Sequence, residues 1–141
     1  MKFSYRKIPL TDRSAYFGSS FLRPIIPVTI QAGNKTIRYA ALVDSGADFN
    51  IFHAEIGAGI GLDIPSGEPI NFGGIHAKSG AQGYFHDVTL IVGGHVFPTR
   101  VAFSSGIAEY GHGVLGQKGF FEFFKVIFDH QSGSLEIKPK K

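Results

Sequence analysis

Ala40-Ala41-Leu42-Val43-Asp44-Ser45-Gly46-Ala47-Asp48 runs from a buried-strand pattern straight into a tight turn and sets a carboxylate at the junction. Four apolar residues end in Asp44, Ser45 supplies a hydroxyl, and Gly46 stands where backbone must approach closely or take dihedrals closed to other residues. A carboxylate at a strand tip is placed for chemistry. The same triplet also serves simply to end a strand as an Asx or Ser turn, and the surrounding sequence has to separate the two readings.

Upstream, Ile25-Ile26-Pro27-Val28-Thr29-Ile30, the turn cluster Ala32-Gly33-Asn34-Lys35 and Thr36-Ile37-Arg38-Tyr39 read as a hairpin that delivers the chain to Asp44. Residues 1–21 mix charge, Ser and Gly without sustained periodicity; they read as an N-terminal arm or extension, with 22–141 as one domain. Downstream, 49–52 continues as a short strand, and 53–61 has room for one or two helical turns despite three glycines. Residues 68–72 and 83–92 read as the two arms of a Gly-punctuated hairpin, the second carrying Val88, Leu90 and Val92 on one face. Gly93-Gly94-His95 marks a turn into a strand over 96–104. Residues 117–124 are the best helix candidate, because Phe120 and Phe124 fall at i and i+4 and Phe121 and Phe124 at i and i+3. Two strands, 125–128 and 134–138, close the chain across the turn formers of 129–133.

The order Asp44-Ser45-Gly46, Gly73-Gly74-Ile75, Gly113-Val114-Leu115-Gly116, Lys125-Val126-Ile127-Phe128-Asp129 and Gly133-Ser134-Leu135-Glu136-Ile137 resembles the retropepsin-like aspartic proteases. Within them it resembles the bacterial single-lobe, retroviral-protease-type members, over about residues 22 to 139. The resemblance implies an all-β fold, a closed barrel lobe, to which the Phe-rich stretch adds one short helix in the C-terminal half. It makes Asp44 the catalytic aspartate, with Ser45 and Gly46 completing the triplet. It places Ala47, Asp48 and Val114 at the substrate, together with Gly73, Gly74, Ile75 and His76 on a flap. In retroviral relatives an Arg just after the second glycine braces the position of Asp48; here Gln117-Lys118 follows Gly116.

Peptide hydrolysis of this kind needs two carboxylates, one as base for water and one, protonated, to polarise the scissile carbonyl. The 141 residues hold one Asp-Ser-Gly and no second copy of it. The resemblance therefore implies a homodimer with Asp44 of each subunit at the two-fold axis, acting on a peptide or protein substrate. Such a pair shares a proton and titrates in two coupled steps. The rival reading is a dimeric module that keeps the cleft for binding peptides and does not cleave.

Composition narrows the remaining classes. With 43% hydrophobic and 18% charged residues, 14 Phe and 19 Gly, the chain suits a β protein with many turns and one apolar core. The absence of Cys excludes disulfides, thiolate metal sites and cysteine nucleophiles. Six His, at 53, 76, 86, 95, 112 and 130, show neither helical i, i+4 spacing nor His-x-His alternation, so no metal or other cofactor is expected. Gly-x-Ser-x-Gly is absent, which leaves Ser45 an orienting hydroxyl. The net charge of +3 is modest, and its basic residues look scattered apart from Lys138-Pro139-Lys140-Lys141, so no nucleic-acid stripe is read. No apolar run reaches membrane-spanning length or makes a leader behind Met1-Lys2-Phe3; no membrane partner is expected, and the expected location is the cytoplasm.

Overall fold

A computed structural model of the chain describes residues 1–72 and 81–140. Its strands are β1 (Lys2–Ser4), β2 (Arg6–Ser14), β3 (Gly18–Arg23), β4 (Ile25–Ala32), β5 (Lys35–Val43), β6 (Asn50–His53), β7 (Glu68–Phe72), β8 (Ala81–Val92), β9 (His95–Ser104), β10 (Gly113–Leu115), β11 (Phe124–Asp129) and β12 (Ser134–Pro139). One short α-helix, α1 (Ala54–Gly59), follows β6, and 3-10 turns occupy Ile64–Ser66 and Ser105–Tyr110.

The fold is all-β around a closed barrel. Strands pair in the order β4-β5-β10-β6-β9-β8, and β8 returns to β4 through Thr29↔Ile91, Ile30↔Leu90 and Gln31↔Thr89. Closure uses both edges of all six strands, so the barrel leaves no backbone row unpaired along its circumference. Period-2 alternation explains its filling: Ile26, Val28 and Ile30 of β4 point inward with Val88, Leu90 and Val92 of β8, Val101 and Phe103 of β9, and Leu115 of β10. Outside the barrel, β7 extends the sheet from β8 as the first arm of the expected hairpin.

Two smaller sheets complete the molecule. The chain ends pair as β1-β12-β11, whose Leu135, Ile137 and Phe124 are buried in the same core cluster as the barrel. The Met1 ammonium donates to the Ile137 carbonyl at 2.8 Å, tying the first residue down. Among the described residues β2 and β3 pair only with each other, and no residue from 6 to 24 is buried.

Residues 1–21, read as an arm or extension, contain strands although the sequence shows no periodicity there. One expectation changes. The Phe-rich stretch is a wide turn and not the C-terminal-half helix; among the described residues the one α-helix lies earlier, at Ala54–Gly59, with His53 Nδ1 accepting from the Glu55 amide at 3.1 Å. Within the turn, the amides of Phe121 and Glu122 reach back five residues to the carbonyls of Gly116 and Gln117, at 3.1 and 3.2 Å. Gly119 interrupts any helix with φ +101, in the left-handed half of dihedral space. Phe120 and Phe124 still stack, with ring centroids 4.9 Å apart and both rings buried, so the spacing reported a packing contact and not a helix. Among the described residues no helix is long and apolar enough to cross a membrane.

Candidate functional site

Strand β5 carries Asp44 to the end of the barrel, and β10 lies parallel beside it with Gly113 opposite Ala41 and Leu115 opposite Val43. The Asp44 amide continues that ladder by donating to the Leu115 carbonyl at 3.0 Å. Beyond it the chain turns sharply. The Ala47 amide donates to the Asp44 carbonyl at 3.1 Å, and the Gly46 amide donates to Asp44 Oδ1 at 2.9 Å. One carboxylate oxygen is thus fixed by backbone, on a side chain that is half-buried.

The turn is fastened from behind. After Gly116 the chain runs alongside residues 47–49: the Gln117 amide donates to the Ala47 carbonyl at 2.8 Å and the Lys118 amide to the Asp48 carbonyl at 3.0 Å. The approach is so close that a Cβ on Gly116 would meet the Phe49 carbonyl and, at 2.8 Å, that of Ala47, which requires glycine there. Two side chains lock the crossing. Asn50, fully buried, accepts from the Gly116 amide at 3.0 Å and donates to the Arg100 carbonyl at 3.2 Å. Gln117 Nε2 donates to the Ser45 carbonyl at 2.8 Å.

Asp44, Ser45, Gly46, Ala47 and Asp48 therefore form one turn, and Val114, half-buried, lies on the strand paired to Leu42 and Ile51. Gly73, Gly74, Ile75 and His76 lie outside the described residues. Asn50 and Gln117 are the residues that sequence reasoning passed over. Asn50 had a local signal, a polar residue in the apolar run Phe49-Asn50-Ile51-Phe52; Gln117 stood out only as the residue in place of an Arg.

A groove of about 800 Å³ opens next to the turn. It begins at Asp48 and Phe49 and does not include Asp44. Phe49, Phe85, Val88, Pro98 and Phe123 give it apolar walls, and Asp48, Glu68, Asp87, Arg100, Lys118 and Glu122 give it a charged rim. Arg100 bonds Asp87 at 3.0 Å and Glu68 at 2.9 Å, and these partners, Asp87 first, raise its pKa further. All three side chains are at least half exposed, so the pairs orient the rim more than they stabilise the fold.

No family profile matches the sequence, and no curated protein matches it. Among solved structures the chain is similar to an EIAV protease complexed with the inhibitor HBY-793, at 20% identity and a TM-score of 0.48, over 67% of this chain and 82% of that one.

Proposed function

We propose that the protein is a homodimeric, retropepsin-like aspartic endopeptidase in which Asp44 of two subunits activates water between them. The observation that carries this reading is how Asp44 is held. A turn that merely ended a strand would need the Gly46 amide and nothing more. Here the turn is also laddered to Leu115, crossed at contact distance by Gly116, and braced by Asn50 and Gln117. Such over-determination is what a group needs if it must keep one geometry through a reaction.

In the proposed reaction one Asp44 carboxylate takes a proton from water as the oxygen attacks the scissile carbonyl carbon. The other Asp44, protonated, gives its proton to the carbonyl oxygen. Collapse of the resulting gem-diol breaks the C–N bond: the carboxyl that received the water proton passes it to the leaving nitrogen, and the other carboxylate takes a proton back from a gem-diol hydroxyl, leaving a carboxylic acid, an amine and the original singly protonated pair. The substrate lies extended past Ala47, Asp48 and Val114, with strand-like backbone pairing. A single chain supplies one such aspartate, so a second copy completes the site.

The test is incubation of wild type and Asp44→Asn with a diverse peptide library from acid to neutral pH, with products identified by mass spectrometry. Cleavage that disappears in Asp44→Asn supports the proposal, and cleavage that survives it sinks the proposal. A folded wild-type dimer that cleaves nothing favours the peptide-binding module instead.

A further inference from the structure

We propose that the open edge of β11 pairs antiparallel with β11 of a second copy of this chain, with Ile127 on the two-fold axis and Lys125 opposite the partner's Asp129. The inference deepens the dimeric reading above. It rests on that reading for the rest of the contact, since two edge strands alone fall short of the ~1,200–2,000 Å² that stable interfaces bury.

The terminal sheet ends at β11 with one side unused. Among the described residues β11 pairs with β12 alone. The Lys140 amide donates to the Phe123 carbonyl at 2.8 Å in the register of that pairing, so by alternation Lys125, Ile127 and Asp129 exchange backbone bonds with β12. The amides and carbonyls of Phe124, Val126 and Phe128 then point to the open edge. Such a row is a template for another strand.

The side chains along this edge are apolar where a solitary edge would be charged. Ile127 is 41% exposed on the face turned from the core, between Lys125 and Asp129 and across from Glu136. Phe128, at the strand end on the opposite face, is also 41% exposed. Lys125 by itself would discourage a second strand. Asp129, four residues on, turns the edge from repulsive to self-complementary.

Register selects the partner. Strands exchange bonds only through residues whose backbone groups both face the seam, so the axis passes at a residue and not between two. Val126 on the axis would set Lys125 against Ile127, and Phe128 on the axis would set Ile127 against Asp129. Ile127 on the axis sets Lys125 against the partner's Asp129, twice by symmetry, and lays the two Ile127 side chains together. The same register sets Val126 against the partner's Phe128 on the core-side face. Within its own sheet Lys125 stands opposite Lys138, which Glu136 already holds at 3.0 Å, so the partner's Asp129 brings the opposite charge to the other side of Lys125. A strand from an unrelated chain would find the backbone row without this matched pair.

The chain has no Cys, so a single introduced one reports the register. Residues opposite each other without exchanging bonds stand about 4.5 Å apart at Cα, within the about 4.4–6.8 Å of a disulfide. Under mild oxidation Ile127→Cys is expected to form a linked dimer. Lys125→Cys is expected to stay unlinked, because its two copies lie more than about 13 Å apart along the strands. In sedimentation equilibrium, with near-UV circular dichroism to confirm folding, Lys125→Asp is expected to weaken self-association about tenfold or more. The charge swap Lys125→Asp/Asp129→Lys is expected to regain most of it. The proposal is overturned by a wild type that stays monomeric throughout, by Ile127→Cys linking no more than Lys125→Cys, or by a folded charge swap that associates no better than Lys125→Asp. A dimer with these dependences that hydrolyses no peptide would remove the peptidase and keep the seam; a dimeric peptidase whose Ile127→Cys fails to link would do the reverse.

Discussion

The barrel and the β2–β3 arm are built from the same kind of strand and end in opposite conditions. In the barrel, Ile26, Ile30, Leu90, Val101 and Phe103 have no exposed surface at all, whereas no residue between 6 and 24 is buried. Strand pairing satisfies backbone polar groups along both edges of the barrel strands and along one edge of each arm strand. Only closure, with a second wall facing the first, removes apolar area from water, at about 25 cal/mol per Å². Forming a strand and stabilising one are thus separate problems, and this chain solves the second for the barrel and the terminal sheet packed on it, not for the arm.

The comparison breaks most visibly if large residues of the two regions respond alike. Phe103→Ala empties a fully buried site in the barrel wall and should cost about 3–5 kcal/mol in urea unfolding. Tyr16→Ala, measured in dilute protein, should fall within about 0.5 kcal/mol of wild type. Comparable losses would mean that the arm is part of the cooperative core. Next in size is Asn50→Leu, which strands the Gly116 amide and the Arg100 carbonyl and should cost about 1–3 kcal/mol. The same change should lower any Asp44-dependent hydrolysis, and an unchanged rate would show that the crossing does not position the carboxylate. Gln117→Ala removes an exposed, neutral hydrogen bond and should cost about 1 kcal/mol or less, with no dependence on salt between low and high ionic strength. A loss that shrinks in high salt would reveal a charged brace instead.

The smallest expected effect concerns the root of the arm, where the Tyr5 amide donates to the Gly133 carbonyl at 2.7 Å, next to the 129–132 turn. Hydrogen bonds from the Ser132 hydroxyl and amide, in that order, hold the Asp129 carboxyl below its ordinary pKa. A depressed carboxyl stabilises the fold above its unfolded value, about 3.9, and the contribution is lost as pH falls through the folded value. Acid should therefore loosen this turn and the arm root ahead of the barrel. Carbon NMR titration of Asp129 should show the low midpoint, and Ser132→Ala should move it upward; an unmoved midpoint would remove Ser132 as the cause.

The same contrast explains what could be read from sequence. Val88, Leu90 and Val92 alternate because one face of β8 meets the core, and the hairpin of β4 and β5 was legible for the same reason. The arm has no buried face, so Lys7, Pro9 and Arg13 fall into its strands without any rhythm to betray them. Its charge was countable but looked scattered, since strand residues separate the basic ones. The Phe-rich turn misled because i, i+4 contacts also arise when a wide turn folds two rings together; Gly119 was the contrary sign. Asp44 was visible because its motif is contiguous. Asn50 and Gln117 act on partners 66 and 72 residues away, a relation no local pattern can carry.

The position of β10 has a consequence in time. It is the shared neighbour of β5 and β6, and it arrives late in the chain. While a ribosome is still short of Leu115, the Asp44 amide has no acceptor, Gly116 is not there to cross behind the turn, and the barrel cannot close. Contacts of such long sequence separation also form slowly once the chain is complete. The turn around Asp44 therefore takes its final geometry only after the segment that backs it, some seventy residues further along the chain, has been made.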